Sequence, residues 1–461
     1  MNENVLDQLH HHAASIFEHA LAACDIDRAF GRHMRLDGHI LTHNLNSSEP
    51  RRTIDFDRYK RVFVIAFGKA SASMLNALMR RIPPGTDVRG VCSSPERPST
   101  RHRHFNYYTG GHPLPNRDSL AAARDALDLL RKARKDTLVI YLISGGGSAM
   151  LELPIETSIP IEDTTAFHET LVASGASITQ VNVVRKFYSA IKAGRLALAA
   201  PDSDKLSLVI ADVPMREREA VASSPTLPSH TLLSECEEIL DRFHLLEQFP
   251  ASVRHYFEKL RAGKYPLPPS PDDPAFHNSH FEILLSNHDF VSAAQSFAED
   301  LDFTVVVDNS CDDWDYEKAS RYLLDVFHRL RKQHPRFCLI SSGELTVQLP
   351  AEHGCGGRNQ QFALACAFDL AQYQHQPLVA FSAGSDGVDG NSPAAGAAVD
   401  TTTIARARQQ QFDPETHLRG FDACPLFTAI GDTIVTGPTG NNLRDLRVFL
   451  AVAPGSTPGS R

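Results

Sequence analysis

The feature that most constrains the fold is a repeated alternation of short apolar runs with longer amphipathic segments. Residues 61–67 (RVFVIAF), 137–143 (TLVIYLI) and 206–211 (LSLVIA) are short, mostly apolar and bounded by polar or glycine residues. Intervening segments such as 118–135 repeat leucine at helical spacing. Continuous apolar strands separated by helices are typical of a parallel sheet that is covered on both faces. The sequence therefore predicts an α/β fold.

Chain length and one proline-rich stretch predict the domain organisation. The 461 residues exceed the usual size of a single domain. The segment KYPLPPSPDDP, at 264–274, contains five prolines, which exclude a regular helix or a central strand. We therefore predict an N-terminal domain over 1–262, a linker over 263–280, a C-terminal domain over 281–453 and a flexible tail over 454–461.

Composition excludes several classes of protein. The 46 basic and 55 acidic residues give a net charge of −9, which argues against a general nucleic-acid binder. The eight cysteines form no CxxC pair, so reduced, buried thiols are expected. The N-terminus lacks the pattern of a secretory signal, and no apolar run reaches the length of a membrane span. We therefore predict a cytoplasmic protein without a membrane segment.

Polar groups that could bind an anion follow the apolar strands. In open α/β sheets, ligands bind at the carboxyl ends of the strands. Lys69 follows the strand at 61–67, and Asp212 follows the strand at 206–211. The strand at 137–143 is followed by a glycine-rich loop whose backbone could approach a phosphate or carboxylate. That loop consists of Ser144, Gly145, Gly146, Gly147 and Ser148. Each signal taken alone has an ordinary alternative: Lys69 could be a solvated lysine, the glycine-rich loop a tight turn, and Asp212 a capping residue.

Further charged residues suit the same chemistry. Arg185 and Lys192 lie seven residues apart in a predicted helix and would share one face, which could equally be a charged solvent face. Arg358 opens a predicted helix, where a guanidinium can clamp an anion with paired hydrogen bonds. Asp386 and Asp389 stand among glycines and suit Mg²⁺ coordination or proton abstraction, or simply an acidic turn. Together these groups are the parts that phosphoryl transfer requires.

Several sequence strings, in a fixed order over most of the chain, carry a family resemblance. They are FGKAS (67–71), GGHPLP (110–115), LISGGGSAML (142–151), NVVRKFYSAIKAGRLA (182–197), ADVP (211–214), GELTV (343–347), GGRNQQFALA (356–365), AGSDGVDGNSPAAGAAVD (383–400) and TGPTGNNLRDL (436–446). With these strings the chain resembles glycerate 2-kinases of the MOFRL type, which combine DUF4147 and MOFRL domains.

The resemblance implies an architecture and a reaction. It implies an N-terminal Rossmann-like parallel-sheet domain, a smaller C-terminal α/β (MOFRL) domain and an active site in the cleft between them. It implies ATP as phosphoryl donor, Mg²⁺ as cofactor, D-glycerate as acceptor and 2-phospho-D-glycerate as product. The oligomeric state is left open, with a homodimer as one option.

The resemblance also implies roles for matching residues. Lys69 becomes the main catalytic or phosphate-stabilising group, Arg358 its partner from the other domain, and Asp386 a third catalytic group. Asp386 and Asp389 become candidate metal ligands. Contacts to substrate or phosphate are implied for the loop Ser144–Ser148 and for Arg185, Lys192, Asp212, Glu344 and Asn359.

Two departures from the family pattern leave alternatives open. After ADVP the family usually continues with glycine and acidic residues, whereas this chain has Met215, Arg216, Glu217 and Arg218. Ser224 stands where the family string ASGPT has its glycine. One alternative is therefore a kinase-like binding protein that has lost turnover. The other is a hydroxypyruvate or glycerate oxidoreductase, against which the missing G-x-G-x-x-G pattern argues.

Overall fold

The computed structural model describes residues 3–46, 50–211 and 222–453. These residues form two compact units. The first unit is Ile26–Ser286, and the second combines the residues up to Asp25 with those from Asn287 onward. The structure thus divides the chain differently from the predicted domains, because the proline-rich segment lies inside the first unit and the N-terminal residues belong to the second.

Helices and strands alternate through most of the described chain. The helices are α1 (Glu3–Ala23), α2 (Ile26–His33), α3 (Ser71–Met79), α4 (Arg117–Leu130), α5 (Gly147–Met150), α6 (Ile161–Ala173), α7 (Ile178–Tyr188), α8 (Arg195–Leu198), α9 (Leu233–Arg242), α10 (Leu245–Gln248), α11 (Ala251–Arg261), α12 (Asn287–Asp300), α13 (Tyr316–Leu330), α14 (Arg358–Leu370), α15 (Thr403–Gln409), α16 (Pro414–Arg419) and α17 (Ala423–Ile430). The strands are β1 (Arg35–Asp37), β2 (Ile40–His43), β3 (Arg52–Asp55), β4 (Arg61–Phe67), β5 (Val88–Ser94), β6 (Phe105–Thr109), β7 (Thr137–Ile143), β8 (Asp204–Ala211), β9 (Ser279–Ser286), β10 (Thr304–Val307), β11 (Arg336–Ser342), β12 (Leu378–Gly384), β13 (Gly396–Asp400), β14 (Thr433–Ile434) and β15 (Asp445–Val452).

The first unit is built on a parallel sheet, which confirms the predicted α/β fold. Within the described residues this sheet has six strands in the order β6-β5-β4-β7-β8-β9, and every neighbouring pair is parallel. The strand β7 is buried along its whole length, and β4 and β8 are buried except for one end. Such burial explains their uninterrupted apolar sequences. A small antiparallel sheet, β1-β2-β3, precedes the parallel one.

The strand order reverses direction between β4 and β7. The chain runs outward from β4 through β5 to β6 and then returns to place β7 on the other side of β4. Phe67 at the end of β4 lies opposite Ile143 at the end of β7, so the loops that follow the two strands emerge side by side. This is the topological switch point, where open α/β sheets bind their ligands.

The second unit contains a mixed sheet. In the described residues its strand order is β10-β11-β15-β12-β13-β14, in which only β10 and β11 are parallel. The stretch at 344–349 is irregular apart from one bridge between Thr346 and Asp315, although its alternation of apolar and polar residues predicts a strand. The ends of β11 and β12 and the start of β15 meet at one edge of this sheet, because β15 runs antiparallel to both.

Helix α1 packs on the second unit although it begins the chain. The ring of Phe17 contacts Phe290 of α12 and Phe381 of β12, with centroids 6.0 and 5.3 Å apart. His10 Nε2 lies 2.8 Å from a carboxylate oxygen of Asp400, so this histidine is paired rather than solvated. The apolar face of α1 is thereby buried in the core of the second unit.

All eight cysteines are free thiols, and seven of them are buried. This agrees with the expectation of reduced thiols. None of the helices in the described residues combines the length and apolarity that crossing a bilayer requires.

Candidate active site

Two loops of the first unit are hydrogen-bonded together at the switch point. The amide of Lys69 donates to the carbonyl of Gly145 at 2.8 Å, and the amide of Ala70 donates to Ser144 Oγ at 3.0 Å. Gly68 has φ +112, and a Cβ there would lie 2.4 Å from the carbonyl oxygen of Ser144. Only glycine allows this approach. The structure therefore brings the predicted lysine and the predicted glycine-rich loop into one site.

The glycine-rich loop presents backbone donors. Among the described residues, the amides of Gly145 and Gly146 donate to no protein acceptor. Gly146 has φ +77, and a Cβ there would lie 2.8 Å from the ring of His112, which follows β6. Amides left without an acceptor in a left-handed turn form a concave anion site. The loop therefore fits a phosphate group that approaches it beside Lys69.

A buried ion pair supports the far end of this loop. Lys192 is buried, and its Nζ donates to the carbonyl of Ser148 at 2.8 Å and contacts the carboxylate of Glu152. His168 Nε2 lies 3.3 Å from the same carboxylate. Burial alone would raise the pKa of Glu152, but Lys192 and His168 outweigh it and hold the pKa at about 2. Lys192 is thus engaged inside the protein, which favours positioning of Ser148 over direct phosphate binding.

The sequence predicted that Arg185 and Lys192 share one face of a helix, and this prediction is wrong. Helix α7 ends at Tyr188, and Lys192 lies in the turn beyond it. The chain leaves the helix because the Ser189–Ile191 backbone turns back along the segment that follows α5, as shown by the bond from the Ala190 amide to the Leu153 carbonyl at 2.7 Å. Arg185 itself keeps a buried Nε that has no hydrogen-bond partner among the described residues. That unsatisfied donor suits an anion contact.

The chain that follows the departing residues 215–218 lies beside the same loop. Asp212 and the residues Met215–Arg218 lie outside the described residues. Beyond them, Ser223 Oγ lies 3.3 Å from Ser148 Oγ. Ala222, Ser223 and Ser224 have φ of 48, 59 and 58, all left-handed. Each of these three residues therefore has a backbone conformation that is strained for a residue other than glycine.

Replacing Ser224 by glycine should stabilise the protein. Glycine adopts the left-handed conformation without strain, and the substitution removes Ser224 Oγ, which is buried without a hydrogen-bond partner. We expect Ser224→Gly to raise the free energy of unfolding by about 1 kcal/mol. Thermal unfolding measures this, with Ser203→Gly, at a buried serine that is hydrogen-bonded, as the control. A lower melting temperature for Ser224→Gly would contradict the strain argument.

Arg358 of the second unit is held by two carboxylates of different burial. Its Nε and Nη2 donate to Asp445 at 2.6 and 3.1 Å, and its Nη1 donates to Glu344 at 3.1 Å. The Asp445 side chain is 2% exposed, whereas that of Glu344 is 36% exposed. Burial works against the charge of Arg358, but the two carboxylates outweigh it and raise its pKa. Asp445 therefore fixes the guanidinium, while Glu344 is the partner that an incoming anion can displace.

Asp389 and Asn359 are hydrogen-bonded at the start of helix α14. The Asp389 carboxylate accepts from the amides of Asn359 and Gln360 at 2.9 and 2.8 Å. Burial raises the pKa of Asp389 to about 7, although these backbone donors oppose the shift. Asn359 is also buried, and its side-chain oxygen accepts from Ser382 Oγ at 2.6 Å. Both side chains are thus engaged in the fold, which favours structural roles over the predicted metal and substrate contacts.

Asp386 occupies a different environment. It follows β12 and is only partly buried, and its Oδ1 accepts from the amide of Val388 at 3.2 Å. No group of three or more histidine, cysteine, aspartate or glutamate side chains within the described residues could hold a metal by itself. Mg²⁺ in kinase sites usually takes one or two carboxylates together with phosphate oxygens and water. Asp386 fits that arrangement as a single protein ligand.

Sequence reasoning missed Asp445 and Glu152. Asp445 lies in the TGPTGNNLRDL string and Glu152 directly after LISGGGSAML, so both accompany the strings that had been recognised. No spacing rule links either of them to its partner, because Arg358 is 87 residues from Asp445 and Lys192 is 40 residues from Glu152. Only the tertiary fold brings these charges together.

Comparison with known proteins identifies the family. Residues 12–258 match a domain of unknown function (DUF4147), and residues 337–445 match the MOFRL family. A glycerate 2-kinase of Pyrococcus horikoshii is 31% identical over 87% of this chain and 89% of its own. The chain belongs to the glycerate kinase family.

Other comparisons agree with this membership of the glycerate kinase family. The crystal structure of a glycerate kinase from Thermotoga maritima superposes with a TM-score of 0.79 at 26% identity, covering 97% of this chain and all of that one. A protein of Agrobacterium vitis with the provisional name of a hydroxypyruvate reductase is 32% identical over 85% of this chain and 99% of its own. The chain therefore has the fold of a glycerate kinase, and one relative of similar identity carries the name of a different enzyme.

Proposed function

We propose that this protein transfers the γ-phosphoryl group of ATP to the C2 hydroxyl of D-glycerate and forms 2-phospho-D-glycerate. The observation that carries the proposal is the pairing of the Lys69 loop with the Ser144–Ser148 loop at the switch point. This pairing combines a cation with unpaired amides, and transferring phosphoryl oxygens need both. The relatives named glycerate 2-kinase supply the acceptor.

The reaction requires side chains that stabilise the transferring phosphoryl group, bind the substrates and act on the hydroxyl of glycerate. The bond between the glycerate oxygen and the γ-phosphorus forms as the bond from that phosphorus to the β-γ bridging oxygen breaks, and the hydroxyl proton must leave. In this proposal Lys69 stabilises the transferring oxygens and Arg358 clamps an anionic group of the substrates. Asp386 would hold Mg²⁺, which would neutralise phosphate charge, or would orient the hydroxyl. Arg185 and the amides of Gly145 and Gly146 contact further phosphate or carboxylate oxygens.

Some of the proposed roles rest on contacts within the described residues, and others stay predictions. Lys192 and Asp389 enter as positioning residues, because the protein itself engages their charged groups. Glu344 enters as the exchangeable partner of Arg358. The roles of Asp212 and of a site shared by the two units stay predictions, as do the cytoplasmic location and the homodimer.

Product analysis tests the proposed function directly. The full-length protein is incubated with ATP, Mg²⁺ and D-glycerate, and the phosphorylated product is identified by ³¹P NMR. We expect 2-phosphoglycerate. Formation of 3-phosphoglycerate would contradict the assigned carbon, and no phosphoglycerate despite ATP binding would favour a kinase-like binding protein. Hydroxypyruvate-dependent oxidation of NADH, the activity of the oxidoreductase alternative, should be absent.

The two carboxylates at Arg358 should differ in their importance. Replacing Asp445 by asparagine removes the buried bidentate partner, so kcat/KM should fall about tenfold or more and the melting temperature should decrease. Replacing Glu344 by glutamine breaks a more exposed pair and should change the stability by less than about 1 kcal/mol. Steady-state kinetics and thermal unfolding of both variants measure this. Equal effects of the two substitutions would show that burial does not set the hierarchy.

A further inference from the structure

A second basic cavity lies in the first unit, away from the phosphate loops. It has a volume of about 320 Å³. Its walls include Leu138 and Lys205 at the starts of β7 and β8, and Arg52 of β3. In a parallel sheet all strands start at one edge and end at the other, so this cavity lies at the edge opposite the loop at Ser144. Six residues of strand separate Leu138 from Ser144, which corresponds to about 20 Å.

The cavity concentrates positive charge in a chain whose net charge is −9. Arg51, Arg52 and Arg58 line it, and none of them forms a salt bridge with a carboxylate among the described residues. The ammonium of Lys205 adds a fourth charge and is held by the carbonyls of Ser203 and Ala275, each at 2.9 Å. Guanidinium groups that line one cavity without a carboxylate partner can share an anion through charge-assisted hydrogen bonds.

The carboxylate in the wall of the cavity is engaged by a hydroxyl group. Asp204 is the one carboxylate in the described lining, and it accepts from the hydroxyl of Tyr59 at 2.5 Å. One carboxylate stands against three guanidinium groups and one ammonium group. Basic side chains therefore outnumber carboxylates among the lining residues.

A buried histidine adds an independent observation. His43 lines the cavity with 0% of its side chain exposed. Its Nδ1 lies 3.2 Å from the carboxylate of Glu282, whereas its Nε2 has no hydrogen-bond partner among the described residues. Buried polar atoms in native proteins nearly always have a partner. Nε2 of His43 is therefore an unsatisfied polar atom of a residue in the wall of the cavity.

We propose that this cavity is a binding site for a small organic phosphate. Arginine forks match the geometry of phosphate and carboxylate oxygens, and three arginines line this cavity. The volume lies at the lower end of the range for small-molecule pockets, about 300–1,000 Å³, which favours a compact phosphorylated acid over a nucleotide. The site is separate from the phosphate loops, and its ligand is bound without being turned over. The proposal goes beyond the kinase reaction and does not depend on it.

Equilibrium dialysis with radiolabelled 3-phosphoglycerate tests the proposal. Glycerate and a non-hydrolysable ATP analogue are present at saturating concentration, so that the candidate active site is occupied. We expect about one molecule of the probe bound per chain. Arg52→Gln and Arg58→Gln should each weaken binding about tenfold or more, because each removes a charge-assisted hydrogen bond to the probe. Both residues are exposed, so the substitutions should leave the core unchanged. The matched control, Arg117→Gln, removes the same charge from an exposed pair with Glu162 in the same unit and should leave binding unchanged.

Three outcomes would overturn the proposal. The wild-type protein could bind no probe. Arg117→Gln could weaken binding as much as the cavity variants do, which would indicate a general effect of charge. Binding could be lost in Lys69→Ala and kept in Arg52→Gln and Arg58→Gln, which would assign the probe to the phosphate loops. The product analysis described above is unaffected by each of these outcomes, so this proposal and the kinase reaction fail separately.

Discussion

Replacing Lys69 by alanine should lower kcat about 10²–10³-fold, the usual loss when one preorganised charge donor is removed from a transition state. The lysine follows β4, and its backbone is fixed to Gly145 at the switch point, so its side chain starts from a rigid base. The substitution keeps that backbone bond. The loss should therefore appear in turnover and not in folding. Initial rates of ATP-dependent phosphoglycerate formation measure kcat, and thermal unfolding checks the fold.

Lys60→Ala is the matched control for Lys69→Ala. Lys60 lies just before β4, is mostly exposed and pairs with Asp136 at 2.9 Å. Its removal changes the net charge by the same amount and should leave kcat within about twofold, because exposed ion pairs contribute little. Turnover of Lys69→Ala close to that of the control would show that the lysine does not serve the transferring phosphoryl group.

Replacing Glu152 by alanine should destabilise the protein by about 3–5 kcal/mol, because the ammonium of Lys192 would remain buried without its counter-charge. Lys192 would keep its bond to the carbonyl of Ser148 and lose its only carboxylate contact among the described residues. Urea unfolding followed by circular dichroism measures the loss. The glycine-rich loop should loosen at the same time, so ATP binding should weaken as well.

A double substitution separates the buried charge from the loss of packing. Glu152→Leu combined with Lys192→Met replaces the pair by apolar groups of similar volume and should recover most of the stability. The folded protein holds the pKa of Glu152 at about 2, below its ordinary value of 4.5. Its contribution is therefore present above pH 4.5 and is lost as the pH falls toward 2, and the difference between Glu152→Ala and wild type should shrink over that interval. A difference that does not depend on pH would contradict the ion-pair account.

The sequence predicted the fully buried parallel strands of the first unit well and the mixed sheet of the second unit poorly. The bounds of β4 and β7 agree with the structure residue for residue, because fully buried parallel strands have a continuous apolar signature. Strands β13 and β15 were missed. The residues of β13 are GAAVD, small side chains that carry little propensity for a strand, and β15 includes Asp445 and Arg447, which suggest a loop. The mixed second sheet could not be inferred without these two strands.

The candidate site also contains parts that the sequence predicts and parts that it does not. Loops at strand ends, such as Gly68-Lys69 and Ser144–Ser148, can be inferred from the sequence because the rule for open sheets concerns position along the strand. Whether a charged side chain faces a ligand or another side chain depends on tertiary partners. For this reason the sequence predicted ligand contacts for Lys192 and Asp389. In the structure Lys192 contacts Ser148 and Glu152, and Asp389 accepts from an amide at the start of α14.

The second unit has a consequence for the order of events during synthesis. Its sheet places β15, the last strand of the described chain, between β11 and β12, and its core also holds α1, the first helix. The ribosome therefore releases α1 more than 400 residues before the strand that completes its docking surface. We expect Leu6, Leu9, Ile16 and Phe17 to remain unburied until then, because the later elements α12 and β12 are among those that cover this helix. Nascent chains of this protein should depend on chaperones that hold an N-terminal apolar helix until translation ends.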